Sequence, residues 1–336
     1  VNQNNRPPPT EAPLQQVAGL DFPPFDSPVS SAGYRWWYID GISLDQRYSI
    51  AIIAFVGSVF SPYYRRAYRR GTTDPENFCA LNVALYGNPN RWSMTERPRH
   101  NVSRDAGEFV IGPSAIKLQA IDRQRGRLTI AINETTAPIP RALRGMVQLD
   151  FTTSSIAPFA LDSAARHHWQ PISPLCDIHV SMQHPQLDWH GQAYLDCNWG
   201  EVPLEEDIEH WSWSRHRHQQ TTYIQYDVHG HRESNSLFIA IDGDKLQYLP
   251  TPPLHRHRRT GWLIPRALRS DGESAVLATL EDTPFYCRSR TEITIDRQRI
   301  HGIHETVSMR RFKSAVIQAM LHCRMPRARY RGTQTR

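Results

Sequence analysis

The sequence predicts an all-β protein built from two antiparallel units, barrels or sandwiches, with a short C-terminal helix. Three observations carry this. Strand-like runs follow one another from Tyr34 to Ile295, separated by Gly, Pro, Asn or Asp. Only one stretch, MRRFKSAVIQAMLHC (309–323), has helical spacing, with Phe312, Val316, Ala319 and Met320 on one side. The chain has 336 residues, more than one hydrophobic core usually serves.

Residues 1–30 (NQNNRPPPTEAP, DFPPFDSP) are Pro-rich and polar, the composition of an extended, weakly ordered arm. Residues 31–204 carry the first series of strands. It starts with YRWWYID and SIAIIAFVG, and it includes ALNVALY and RLTIAIN, which alternate with period two like half-buried strands. Residues 205–329 carry a second series, among them WSWSRHR, TYIQYDV, LFIAID, AVLATL and TEITID, and 330–336 form a basic tail. Both TTSSIAP (152–158) and VPLEED (202–207) read as loops, and the second is the favoured boundary. A closed unit of about eight strands has room inside for one small ligand.

Composition excludes several classes. Hydrophobic residues make up 39% and charged residues 21%, proportions of a soluble globular protein. The longest apolar run, IAIIAFVGSVF (50–60), is about half the ~20 residues that a helix needs to span a bilayer. Five cysteines without regular spacing, and no signal peptide, fit a reducing, cytoplasmic setting. The net charge of +6 gathers late, in HRHRR (255–259), MRRFK (309–313) and RMPRARYRG (324–332). No RNP-type strand or zinc finger accompanies it, so no nucleic acid is expected and an anionic membrane surface is the better partner.

AYLDCNWG (193–200) holds the most unusual inventory. On a strand, Tyr194, Asp196 and Asn198 share one face, while Leu195 and Cys197 share the other. A polar outer face is the plain reading. The nearby Trp189, Trp199, Trp211 and Trp213 favour instead an aromatic lining, and RHHWQP (166–171) puts His167 and Trp169 on one strand face by the same arithmetic. The i, i+2 histidine pairs His216/His218, His229/His231 and His255/His257 lack a third ligand at suitable spacing, so no metal site is expected. No G-x-S-x-G, Walker loop or G-x-G-x-x-G is present.

Several long stretches resemble the acyclic carotenoid 1,2-hydratases, the hydroxyneurosporene synthase enzymes of photosynthetic and related bacteria. They are YRWWYIDGISLDQRYSIAIIAFVGSVFSPYY (34–64), DPENFCALNVALYGNPNRWSMTER (74–97), HHWQPISP (167–174), GQAYLDCNWGEVPLE (191–205) and CRMPRAR (323–329). That family is similar in turn to tandem lipocalin-like proteins, which implies two lipocalin-like antiparallel β-barrel domains. The resemblance implies water addition across the terminal C1=C2 double bond of an acyclic carotenoid such as neurosporene or lycopene, giving a tertiary alcohol. It implies His167, Trp169, Tyr194 and Asp196 as the catalytic set, with Asp196 as proton donor. Trp36, Trp37 and Asp40 of the first motif, with Asn198 and Trp199, are the expected substrate contacts.

The chemistry suits those residue types. An alkene is a very weak base, so its protonation needs an acid held neutral by burial. Rings such as Trp169 and Tyr194 stabilise the resulting tertiary cation, and His167 orients the acid or positions the water. The reaction needs no cofactor and no metal. A long polyene needs only its end inside the pocket, which places the enzyme peripherally on the intracytoplasmic membrane. Two alternatives remain on the same scaffold: a non-catalytic isoprenoid-binding protein, and a cofactor-free isoprenoid cyclase.

Overall fold

The computed structural model describes residues 20–231 and 233–328. Of the expected arm, residues 1–19 lie outside this range, as does the 330–336 tail. The described end of the arm is packed rather than loose. Phe22 and Phe25 are buried, with Phe25 edge-on to Trp37 at 4.9 Å and Phe22 against Phe151 at 5.9 Å.

Twelve strands form the first sheet. They are β1 (Tyr34–Ser43), β2 (Ser49–Val56), β3 (Cys79–Tyr86), β4 (Arg91–Arg97), β5 (Val102–Arg104), β6 (Glu108–Ile111), β7 (Ser114–Ala120), β8 (Arg125–Thr135), β9 (Ala142–Thr152), β10 (Phe159–Ala160), β11 (His167–His184) and β12 (Leu187–Gly200). The order is β4-β3-β2-β1-β12-β11-β9-β8-β7-β6-β5, with β10 beside β11. The sheet curls until its β4 edge comes round to β8: Arg97 on β4 reaches Glu134 on β8 at 2.8 Å, and Ser93 Oγ donates to the Thr135 carbonyl at 3.2 Å. Its interior is filled by residues such as Trp37, Ile52, Val83, Phe109, Ile130, Val147 and Leu195.

The second sheet takes its strands from β13 (Ile208–His218), β14 (Thr221–Gly230), β15 (Ser234–Asp242), β16 (Lys245–Tyr248), β19 (Ala275–Asp282), β20 (Tyr286–Ile295) and β21 (Gln298–Ser308), in the order β16-β15-β14-β13-β21-β20-β19. A hairpin of β17 (Leu254–His257) and β18 (Arg266–Arg269) contributes Leu268 to a small core with Phe238 and Ile293. All pairings within these sheets are antiparallel, and few helices interrupt them, as the sequence predicts.

The burial patterns show how the sheets meet. Strand β8 alternates buried and open residues, because one face fills the barrel and the other meets solvent. Strand β3 is buried at every residue, and β2 at nearly every one. Their outer faces are covered by the second sheet, and a second core forms between the sheets from Trp36, Tyr38 and Phe55 on one side and Trp213, Tyr226 and Ile303 on the other.

The C-terminal helix differs from expectation. It breaks at Lys313–Ser314 into α3 (Met309–Phe312) and α4 (Ala315–Arg324), after α1 (Pro62–Arg69) and α2 (Leu204–Asp207) earlier in the chain. Phe312 is buried, but Val316, Ala319 and Met320 of the expected apolar face are exposed, and Ile317 and Leu321 face the core instead. The break turns α4 about its axis relative to one continuous helix. Beyond it, the chain bonds to the edge of β4: Glu96 N–H donates to the Pro326 carbonyl and Ala328 N–H to the Glu96 carbonyl, both at 2.9 Å. That pairing covers part of an otherwise open sheet edge.

Candidate active site

Strand β12 presents Tyr194, Asp196 and Asn198 to the second sheet, and sends Leu195 and Cys197 into the barrel core. The Tyr-x-Asp-x-Asn face is therefore buried, but on the outside of the barrel. Between the sheets lies a cavity of about 340 Å³, lined by Trp36, Tyr38, Asp196 and Asn198 on one wall and by Trp213, Tyr226 and Glu305 on the other. That is near the lower end of the ~300–1,000 Å³ of small-molecule sites.

The Asp196 carboxyl is 2% exposed. Its Oδ2 accepts the indole N–H of Trp169 at 2.8 Å, and the Tyr194 hydroxyl donates to the same carboxyl. The Tyr194 oxygen also accepts from Trp169 at 3.2 Å. Antiparallel pairing puts Trp169 opposite Asn198, one same-face step from Asp196, which lets the indole reach both groups. Oδ1 has no hydrogen-bond partner among the described residues. Burial pushes the Asp196 pKa up to about 8, against the two hydrogen bonds that favour the carboxylate, and Glu305 and Asp40 add to the rise. These surroundings favour the protonated acid, with one oxygen unpartnered and the residue on the cavity wall.

Around it the rings close in. Trp213 lies 5.4 Å from both Tyr194 and Tyr38, and Tyr226 lies 5.0 Å from Trp169. Below the cavity runs a buried charged layer. Asp40 accepts from Arg215 at 2.7 and 3.0 Å and from Arg288, and Arg288 also donates to Glu305 and, at 2.7 Å, to the Tyr38 oxygen. Asp40 is held below the usual carboxylate range: burial alone would raise it, but the two guanidiniums outweigh that.

His167 stands apart from the acid. Its Nδ1 pairs with the Tyr34 hydroxyl and its Nε2 with Asp207 Oδ2, each at 3.0 Å, so Trp169 and Tyr194 hold Asp196 instead. Burial lowers the His167 pKa, while Asp162 and Asp207 oppose the fall. Gly200 makes this placement possible, since a Cβ there would stand 2.6 Å from the Tyr34 ring and 2.8 Å from His167 Nδ1.

Of the expected substrate contacts, Trp36 and Asn198 line the cavity. Trp37 does not, because adjacent residues on a strand face opposite ways. It fills the barrel core beside Phe109 and donates to the Pro23 carbonyl at 3.0 Å. Trp199 likewise faces away, stacked on His168 at 5.2 Å and under Arg35 at 4.7 Å. Asp40 belongs to the charged layer. The second wall was only partly foreseen: the alternating Trp211 and Trp213 signalled an aromatic face, but nothing in HETVS (304–308) marks Glu305.

The histidine pairs do not gather into groups of three. Among the described residues the one such group is His179, Asp188 and His190, on the exposed outer side of the β11–β12 hairpin and outside the cavity lining.

Two antiparallel β units packed face to face, with a carboxyl buried in an aromatic cavity between them, define a tandem lipocalin-like fold. The fold is similar to that of a candidate AttH of Nitrosomonas europaea, with a TM-score of 0.56 over 88% of this chain and 98% of that one, at 14% identity. The chain belongs to the carotenoid hydratase CrtC family, whose model matches residues 52–334. It is 43% identical over 312 residues to the acyclic carotenoid 1,2-hydratase of Thiocapsa roseopersicina, covering 91% of this chain and 76% of that one. The same-named protein of Rubrivivax gelatinosus is 39% identical over 320 residues, with the same coverage. That of Cereibacter sphaeroides is 32% identical over 282 residues, covering 82% of this chain and 98% of the relative.

Proposed function

We propose that this protein is an acyclic carotenoid 1,2-hydratase in which Asp196 protonates the terminal alkene. The observation that carries the mechanism is the asymmetry of one carboxyl group. Oδ2 accepts the Trp169 N–H, so in this reading the proton of the neutral acid resides on Oδ1, the oxygen without a partner. An alkene end seated in the cavity provides a π face there. Protonation at C2 leaves a tertiary cation at C1, and rings such as Trp213, Tyr226 and Trp36 stabilise it by roughly 0.5–2 kcal/mol each. Water then adds at C1 to give the tertiary alcohol. Within this reading Trp169 and Tyr194 orient the acid, and the Tyr34–His167–Asp207 chain fixes the starts of β1 and β11 against α2.

The cavity holds one end of a long polyene, so the rest must leave through its mouth. Trp262 and Met320 both line the cavity and are exposed, at 45% and 41%. Ile139, Leu263 and Val316 add exposed apolar surface beside Pro138, Trp262 and Met320. Leu263 adopts φ +61°, a conformation that costs a non-glycine residue ~1–2 kcal/mol, and the α3 residue Arg311 grips the Trp262 carbonyl at 2.7 Å. An apolar rim of this kind suits docking on a lipid surface, from which a carotenoid end would enter. No helix among the described residues is long and apolar enough to cross a membrane. Parts of the basic segments are used internally: Arg324 pairs with Glu281 and Arg327 with Glu96.

The test is hydration of lycopene in detergent or vesicles with ¹⁸O-water in D₂O. The product should carry ¹⁸O at the tertiary hydroxyl and one deuterium at C2, and D196N should lose both. Turnover by D196N within tenfold of wild type would overturn the assignment of the acid.

A further inference from the structure

Hydration moves two protons. After the alkene takes one from Asp196, the water that captures the cation must lose another. A base for that step is best placed away from the wall that delivered the first proton.

Glu305 stands on that other wall. Asp196 belongs to β12 of the first sheet and Glu305 to β21 of the second, and both line the cavity. Tyr38, the cross-strand partner of Asp196, reaches over and donates to Glu305 Oε1 at 2.8 Å. Trp213, the cross-strand partner of Glu305, packs on Tyr38 and Tyr194. The two carboxyls thus face each other across one set of rings. Burial raises the Glu305 pKa, and Arg288, which also holds Oε1 and fixes the side chain, opposes that rise. The Glu305 side chain keeps 12% of its surface open while that of Arg288 keeps none. Of the other acidic residues on the lining, Glu281 is tied at both oxygens by Tyr86 and Arg324, each at 2.7 Å, and Asp282 accepts the Trp262 N–H at Oδ2, 3.1 Å away, with Oδ1 unpartnered and no cation against it among the described residues.

We propose that Glu305 is the base that holds and deprotonates the attacking water, so that acid and base act from opposite sheets. This rests on the reading of Asp196 as the proton donor. In the first step the alkene π pair forms the C2–H bond as the Asp196 O–H bond breaks, leaving the cation at C1 and a carboxylate at Asp196. In the second, the water oxygen bonds to C1 while one of its protons passes to Glu305. The carboxyl pair then holds the one proton with which it began, on the other member, and its return to Asp196 resets the site. The environments divide the roles as acid–base pairs require. Asp196 has neutral donors and no cation against it, and Glu305 has a guanidinium.

E305Q keeps the shape and still accepts from Tyr38 and Arg288. It should lower hydration by ~10²–10⁴-fold, the usual contribution of a positioned base. Protonation by Asp196 should continue. In D₂O the uncaptured cation will lose a proton again, so the recovered hydrocarbon should contain deuterium-bearing alkene, returned substrate or its terminal methylidene isomer, at a rate within fivefold of wild-type turnover. E305D, with its carboxylate one bond further from the water, should show the same shift in the ratio of alcohol to labelled alkene, by at least tenfold. That variant serves the test if E305Q does not fold. D196N should give neither product, which separates failure of the base from failure of the acid. Hydration by E305Q within fivefold of wild type would overturn the proposal. So would parallel loss of alcohol and labelled alkene in a folded variant.

Discussion

The indole N–H of Trp169 meets Oδ2 of Asp196 at 2.8 Å, while the other oxygen of that carboxyl has no partner. In the proposed mechanism this arrangement makes the indole part of the acid, because it leaves Oδ1 to carry the proton. W169F retains an aromatic ring but cannot donate, so Asp196 is left to Tyr194 alone. Activity should fall by roughly 10–100-fold, the worth of one hydrogen bond to a charged or reacting group at ~1.5–3 kcal/mol. W169A should fall further, since it also opens a cavity. Equal kcat/KM for the two variants would show that packing, not donation, is the role of Trp169.

The pH dependence follows from the raised Asp196 pKa. The acid must be protonated to act, so kcat/KM should fall tenfold per pH unit above its pKa of about 8, and it should fall again on the acid side where Glu305 takes up a proton. For stability the sign is the same. The folded state keeps the proton up to about pH 8, whereas the unfolded chain releases it near pH 3.9. The folded state therefore binds more protons in this window, and the contribution is present at low pH and lost as pH rises towards 8. Urea denaturation of wild type and D196N at pH 5.5 and 8.5 should show a larger loss with rising pH in the wild type. An equal loss in both would assign the effect to other buried acids, such as Glu96 and Glu205.

Arg288 is the keystone of the charged layer between the sheets, fully buried between Asp40 and Glu305. R288M leaves Asp40 to Arg215 and Glu305 to the Tyr38 hydroxyl, one buried negative charge in excess, and should cost ~3–5 kcal/mol of stability. Adding D40N should recover part of that, because the excess negative charge is removed. Additive losses in the double variant would mean that the pair is not energetically coupled.

The exposed apolar rim gives a membrane-binding prediction. V316E with I139E introduces two charges into the exposed apolar surface, at residues outside the cavity lining. Flotation with anionic phosphatidylglycerol vesicles should drop by at least fivefold, with hydration of a short detergent-dispersed substrate preserved within threefold. Unchanged flotation would assign membrane contact to another face.

Period-two alternation by itself determined which residues share a face. It grouped Tyr194 with Asp196 and Asn198, and His167 with Trp169, and it identified the many antiparallel strands of the two sheets. The same rule excludes Trp37 and Trp199 from the wall that holds Trp36 and Asn198, since neighbours on a strand cannot face one way. Local pattern could not tell which face of a strand buried on both sides meets the cavity. In β1 and β12 both faces are buried, one in the barrel core and the other between the sheets, and only the packing of the second sheet makes the latter a cavity wall. Glu305 and Arg288 meet Asp196 and Asp40 across 109 and 248 residues, separations at which sequence periodicity carries no information (305 − 196; 288 − 40). The break at Lys313–Ser314 was hidden for a related reason: α4 turns to bury Ile317 and Leu321, and the helical stripe read from the sequence is left in the open around the mouth. Sequence determined the strands and the faces; the stacking of two sheets decided which face became a site, because burial of the acid and the second wall exist only once they are packed together.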